Sequence, residues 1–152
     1  MRIFTFITLF CLVFTTINAE LIKPTPSIEP SKVISIQLSA LQQNNIPYDN
    51  AGIVQTWEFA HPNNRKITGP IEKFKNMIKT DSYSMLLSHS DHEIVEVYKS
   101  KDVATFEVTI LDNKKKYYKF KWQVEKYNIE GDLKDCWLTT AVSQPNNLGS
   151  SI

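Results

Sequence analysis

Hydrophobic side chains recur at two different periods along this chain, and the change from one to the other divides it near residue 90. In the first part the step is three or four. Pro30 suits a first helical turn, and Val33, Ile34, Gln37, Leu38 and Leu41 follow at helical spacing, which predicts an amphipathic helix to about Asn44. Asn44-Asn45-Ile46-Pro47 ends it. Asp49 is placed to cap a second helix carrying Ile53, Val54, Trp57 and Ala60 on one side. That helix stops at His61, because a residue before proline is pushed out of the α conformation. A third helix is expected with Gly69 as cap, Pro70 at its first position and Ile71, Phe74, Met77 and Ile78 on its buried side. Asp81 can cap one more short turn, DSYSMLL.

After that the period is two. Ala104, Phe106, Val108 and Ile110 alternate with threonines and Glu107 in 103–111, and Tyr118, Phe120, Trp122 and Val124 alternate with lysines and Gln123 in 117–125. This is the pattern of antiparallel strands with one dry and one wet face. Asp112–Lys115 supplies the hairpin turn, HEIVEVYK (92–99) a preceding strand and CWLTTAVS (136–143) a following one; residues 144–152 read as a loose tail. No second sheet is at hand to cover the apolar row. The expected fold class is therefore α+β, with three to four N-terminal helices packed on one face of a four-stranded antiparallel meander. The single domain spans 30–143, and the proline-rich stretch 20–29 is an extended lead-in.

Residues 1–19 change the picture of where the protein goes. Arg2, the apolar run Ile3–Ile17 and the small residue Ala19 form a secretory signal pattern, with cleavage expected near Ala19 and a secreted or luminal product. The run is short for a permanent anchor, so no stable membrane span is expected after cleavage. Of 17 basic and 16 acidic residues, the leader holds only Arg2, so the remainder is formally neutral and offers no footprint for nucleic acid. Cys11 leaves with the leader and Cys136 remains alone, so stability rests on packing and not on an internal disulfide. The sequence holds no Asn-x-Ser/Thr acceptor for N-glycosylation. The polar outer face of the sheet points to a monomer or weak dimer.

Several runs together resemble a known family. Ser35-Ile36-Gln37-Leu38-Ser39-Ala40-Leu41, Trp57-Glu58-Phe59-Ala60-His61-Pro62, Asn64-Arg65, Thr68-Gly69-Pro70, Phe74, Met77 and Tyr83 look like the domain of unknown function 4864, and Cys136-Trp137, Thr139 and Ala141-Val142 fit its closing strand. The resemblance spans most of 31–143. The family is similar in pattern to the cystatin-like roll shared by nuclear transport factor two and ketosteroid isomerase. It implies a cone-shaped fold with space for a pocket between sheet and helices, and it implies no activity.

The least generic stretch is WEFAHPNNRKITGP, 57–70. In one reading Arg65 and the amides opening the third helix hold an anion, with His61 or Trp57 as a wall. In the other, Arg65 bonds loop carbonyls or Glu58, and Trp57 and Phe59 plug the junction. The second is favoured, because Pro70 removes a helix-terminal donor. His89 and His92 have a spacing that could supply two metal ligands, but no third is evident. A solvated turn is expected there, with no metal and no cofactor. Cys136 reads as a small buried hydrophobe. Glu96 is ambiguous: if the row Ile94, Glu96, Tyr98 faces inward, it becomes a buried acid and a pocket enzyme gains a base.

Should the space under the helices take a ligand, the side chains placed to line it are Trp57, His61, Arg65, Tyr83, Glu96, Tyr118 and Trp122. The functional expectation is an exported, non-catalytic domain that binds a small molecule or another protein. The alternative is a cofactor-free hydrolase or isomerase using Glu96 or His61.

Overall fold

A computed structural model describes residues 20–80 and 82–150. The leader and the expected cap Asp81 lie outside the described residues. The lead-in is extended, tied down where Gln55 pairs with both backbone groups of Ile22 at 2.8 Å.

Helix α1, Pro30–Gln42, buries the expected stripe, and Gln37 is buried along with it. Helix α2, Ala51–Glu58, crosses so close to α1 that a Cβ on Gly52 would stand 2.0 Å from the Ala40 carbonyl oxygen. Glycine is the residue that permits this contact. The cap of α2 differs from the expectation at Asp49. Asn50 holds the cap position in a left-handed conformation without a side-chain cap bond of its own, and Asn44 Oδ1 accepts the Ile53 amide at 3.0 Å instead.

The corner 61–70 is not a loop throughout. His61 caps a further helix, α3, Pro62–Thr68, its Nδ1 accepting the Asn63 amide at 3.0 Å. Because α3 buries none of its residues, the stretch carries no hydrophobic period to announce it. Helix α4, Ile71–Ile78, follows with Pro70 rather than Gly69 at the cap. Gly69 serves another purpose: a Cβ there would meet the Arg65 carbonyl oxygen at 2.5 Å and Trp57 Cη2 at 2.9 Å. A short 3₁₀ turn, η1, Ser84–Leu86, leads into the sheet.

Strands β1 (Asp91–Lys99), β2 (Val103–Leu111), β3 (Lys116–Lys126) and β4 (Trp137–Val142) form the antiparallel meander. The sheet has a fifth member. Residues expected in a loose tail form β5, Asn146–Ser150, which pairs with the first half of β3 while β4 pairs with the second. Pro145, which has no amide hydrogen to give, stands in the break between them. Ala104, Phe106, Val108, Ile110, Phe120, Trp122 and Val124 are buried on one face, covered by Val33, Ile34, Leu38, Leu41, Phe59, Phe74, Ile78 and Leu86. Full burial of each large apolar side chain contributes about 1.5–3 kcal/mol before chain entropy opposes it. On the opposite face Lys119 and Glu107 meet at 3.0 Å in a half-exposed ion pair.

Candidate functional site

Between the helical layer and the sheet lies a cavity of about 100 Å³. Leu41, Phe74, Met77, Ile78, Leu86, Trp122 and Val142 make its apolar wall; Gln37, Thr56, Asn64, Thr68, Tyr83 and Thr139 add polar atoms, and Ala60 completes it. The helices and β4 meet at Thr139. Its backbone amide donates to Phe59 O at 2.8 Å, and its carbonyl accepts the His61 amide at 2.8 Å and Asn64 Nδ2 at 3.3 Å. Its hydroxyl donates to Gln37 Oε1 at 2.7 Å and accepts Trp122 Nε1–H at 3.3 Å. Gln37 Nε2 in turn donates to Thr56 O at 3.0 Å, and Thr56 Oγ1 to Gly52 O at 2.8 Å. This chain of bonds leaves no buried side-chain polar atom unpartnered among the described residues.

Tyr83 is half-buried in the cavity wall. Its ring stacks on Phe120 with centroids 6.5 Å apart; its hydroxyl reaches Val142 O at 3.4 Å and accepts Gln144 Nε2 at 3.3 Å. Burial raises its pKa, so it stays a neutral phenol. It is the one ionisable side chain in the cavity wall.

Of the seven side chains placed by sequence, Tyr83 and Trp122 line this cavity and the other five do not. Arg65 closes the C-terminal end of α2: Nη2 donates to Trp57 O at 2.6 Å and Glu58 O at 3.0 Å, and Nε to Ala60 O at 3.1 Å. Its guanidinium also lies 5.2 Å from the centre of the Trp57 ring. Burial lowers its pKa and the nearby Glu58 opposes that shift. Through these bonds Arg65 caps the end of α2. Trp57 packs on Phe74 with centroids 4.9 Å apart.

His61 is occupied as a cap and packs edge-on against Tyr127 at 5.3 Å; burial lowers its pKa, with Glu125 pulling the other way. Tyr118 lies opposite Ile110 in the helix-facing row, half-buried at the edge of the core. Glu96 also belongs to the helix-facing row, opposite Phe106, yet it is exposed and borders an open groove with Ser31, Lys32 and Ser35. It is not a buried acid.

Two further positions settle differently. Cys136 is fully buried, and its thiol pKa is raised by burial and then by Asp135, which suits a packed hydrophobe and not a nucleophile. His89 corrects the expectation of a solvated turn: it is 2 % exposed and bonded to both Leu86 and His92. No group of three or more metal-ligating side chains occurs among the described residues.

Sequence reasoning left out Thr56, Asn64, Thr68 and Thr139 as cavity groups. One signal was available for Gln37, a polar side chain in the middle of an apolar helical stripe. The family model for a domain of unknown function, DUF4864, matches residues 25–147. No curated protein and no solved structure matches the chain.

Proposed function

The chain belongs to the DUF4864 family, and from that footing we propose that it is a non-catalytic domain whose cavity holds a small, neutral, largely apolar molecule. The observation that carries this reading is the make-up of the wall. A general acid or base must stand within hydrogen-bond reach of the reacting group, yet the wall offers no carboxylate, imidazole, thiol or amine, only the phenol of Tyr83. Apolar area with a few polar groups at one end is the composition of a binding pocket. The size fits a ligand of few heavy atoms, since a dry protein cavity of about 150 Å³ accepts benzene. Helices over one sheet face with a cavity between them also support the cystatin-like roll as its architecture.

The pocket-enzyme alternative has less support, because Glu96 and His61 both stand away from the cavity. Export is the second part of the proposal, supported by Arg2, the apolar run to Ile17 and Ala19. Among the described residues no helix is long and apolar enough to cross a membrane.

The test is a thermal-shift series with short-chain alcohols and ketones smaller than benzene, repeated on Val142→Phe, which fills the cavity from its β4 wall. A rise in Tm for the natural chain and none for the folded variant supports the reading. Equal rises in both place binding elsewhere and overturn it. The mass of the protein recovered from a secreting host tests cleavage near Ala19.

A further inference from the structure

The polar groups of the cavity wall differ in what they can still bind. Gln37, Thr56 and Thr139 are at most 4 % exposed and are bonded to one another or to backbone carbonyls. Asn64, Thr68 and Tyr83 are half-buried, so these are the polar side chains that a guest in the cavity can touch.

The hydroxyl hydrogens among them are already spent. Thr68 Oγ1 donates to Asn64 O at 2.9 Å, one turn back in α3, and the Tyr83 hydroxyl donates to Val142 O at 3.4 Å. The indole N–H of Trp122 is likewise taken, by Thr139 Oγ1. What these hydroxyls have left is lone pairs, and one of those on Tyr83 already accepts Gln144 Nε2.

Asn64 completes an accepting surface. Thr139 O only accepts, so the amide nitrogen of Asn64 must face it, at 3.3 Å, and Oδ1 is turned the other way. Among the described residues nothing donates to Oδ1, and no unpartnered side-chain oxygen is sealed from a small molecule. Oδ1 is therefore an open acceptor beside the spare lone pairs of Thr68. The one donor left in this group is the second N–H of the Asn64 amide.

We infer that the ligand of the cavity is a small neutral alcohol, its O–H given to Asn64 Oδ1 and its carbon skeleton laid on the apolar wall. This rests on the cavity reading above. A ketone of the same size can take the spare N–H, but it covers Oδ1 and gives it no hydrogen. Leaving an acceptor dry and unpaired costs more than one neutral bond contributes. A carboxylate finds no cation in the wall, and an ammonium finds no carboxylate. The arrangement selects for a donor.

Methyl and side-chain amide NMR of the purified protein, titrated with 2-propanol and separately with acetone, tests this. Saturable shifts of the Met77 and Val142 methyls are expected with 2-propanol, together with movement of the Asn64 amide signals. The alcohol should bind roughly fivefold more tightly than acetone, the worth of one neutral hydrogen bond. Equal affinities, or tighter binding of acetone, overturn the alcohol and leave the cavity reading standing. No saturable methyl shift with either guest overturns the cavity reading and this inference with it. Asn64→Leu, close in size but without an acceptor, should bind the two guests equally; a preference that survives in it overturns the role of Asn64. Should that variant not fold, the natural chain decides, since bound 2-propanol that leaves the Asn64 amide unmoved overturns the same assignment.

Discussion

The Thr139 hydroxyl donates to Gln37 Oε1 at 2.7 Å across 102 positions of sequence, and both side chains are almost fully buried. This bond joins the first helix to the last strand of the meander. It also fixes the orientation of the Gln37 amide, whose nitrogen is then free to hold Thr56 O. A buried polar link of this kind contributes little net stability when whole and costs much more when half of it is removed.

Thr139→Val keeps the shape of the side chain and removes the hydroxyl. Gln37 Oε1 and Trp122 Nε1 both lose a partner, so the expected loss is about 1–3 kcal/mol in urea unfolding. Gln37→Leu with Thr139→Val should cost less than the sum of the two single changes, since an acceptor and its donor leave together. Additive losses would show that the two side chains do not act as a pair.

Arg65→Ala strips the end of α2 of donors to three carbonyls. Bonds from a charged donor are among the stronger ones, and a loss of about 1.5–3 kcal/mol is expected. Arg65→Lys should recover little, because one ammonium cannot reproduce the planar fork. Sulfate should give neither variant nor parent any protection. Sulfate protection lost on Arg65→Ala would restore the anion-holding reading of this corner.

Gly52→Ala places a methyl group 2.0 Å from the Ala40 carbonyl oxygen and 2.8 Å from Asn44 Cα, backbone atoms that cannot swing aside as a flexible side chain would. Overpacking of this sort costs about 1–3 kcal/mol or more. The expected outcome is a lower Tm with broadened α1 and α2 amide signals. An unchanged Tm would mean that the helices separate freely, and the cavity between them and the sheet would then be far softer than described.

How much of this was legible in sequence follows from what each element buries. β2 and β3 were readable to within a residue, because their alternate side chains are committed to core and water. α3 has no fully buried side chain and β5 leaves all of its side chains exposed; both are held by capping and ladder bonds, which leave no hydrophobic trace. The role of Arg65 could be inferred from its setting among helix-ending residues. The burial of His89 could not, since its neighbours Ser88 and Ser90 are polar and exposed. The α2 cap was misplaced for a related reason: Asn44 reaches it through space, from the end of the preceding helix.

His61 gives a pH dependence whose sign can be worked out. Its pKa is lowered in the folded protein, chiefly by burial, so the unfolded chain takes up a proton near 6.5 that the native state resists. Stability is therefore whole above pH 6.5 and declines as pH falls from there toward the lowered value. His61→Asn keeps an acceptor for the Asn63 amide without a titrating group. It should hold the neutral-pH stability and flatten part of the acid slope, whereas His61→Ala should lose about 1 kcal/mol at pH 7.5. Urea unfolding at pH 7.5 and 5.5 separates these outcomes. An equal acid slope in His61→Asn and the parent would assign the whole effect elsewhere.

Glu96 has a role that its exposure explains. β1 is an edge strand, and its outer side presents Val95, Val97 and Tyr98, between 46 % and 57 % exposed. Such an edge invites pairing with another chain, and natural sheets discourage this with bulges and with charges that point toward the covered face. Both devices are here: the register shifts between Glu96 and Tyr98, and Glu96 puts a carboxylate in the helix-facing row opposite Phe106. Glu96→Val should leave the fold and the cavity unchanged and increase self-association, seen as concentration-dependent growth in light scattering at neutral pH. Glu96→Gln, polar but uncharged, should fall between. A fully monomeric Glu96→Val at high concentration would mean that the bulge alone protects the edge.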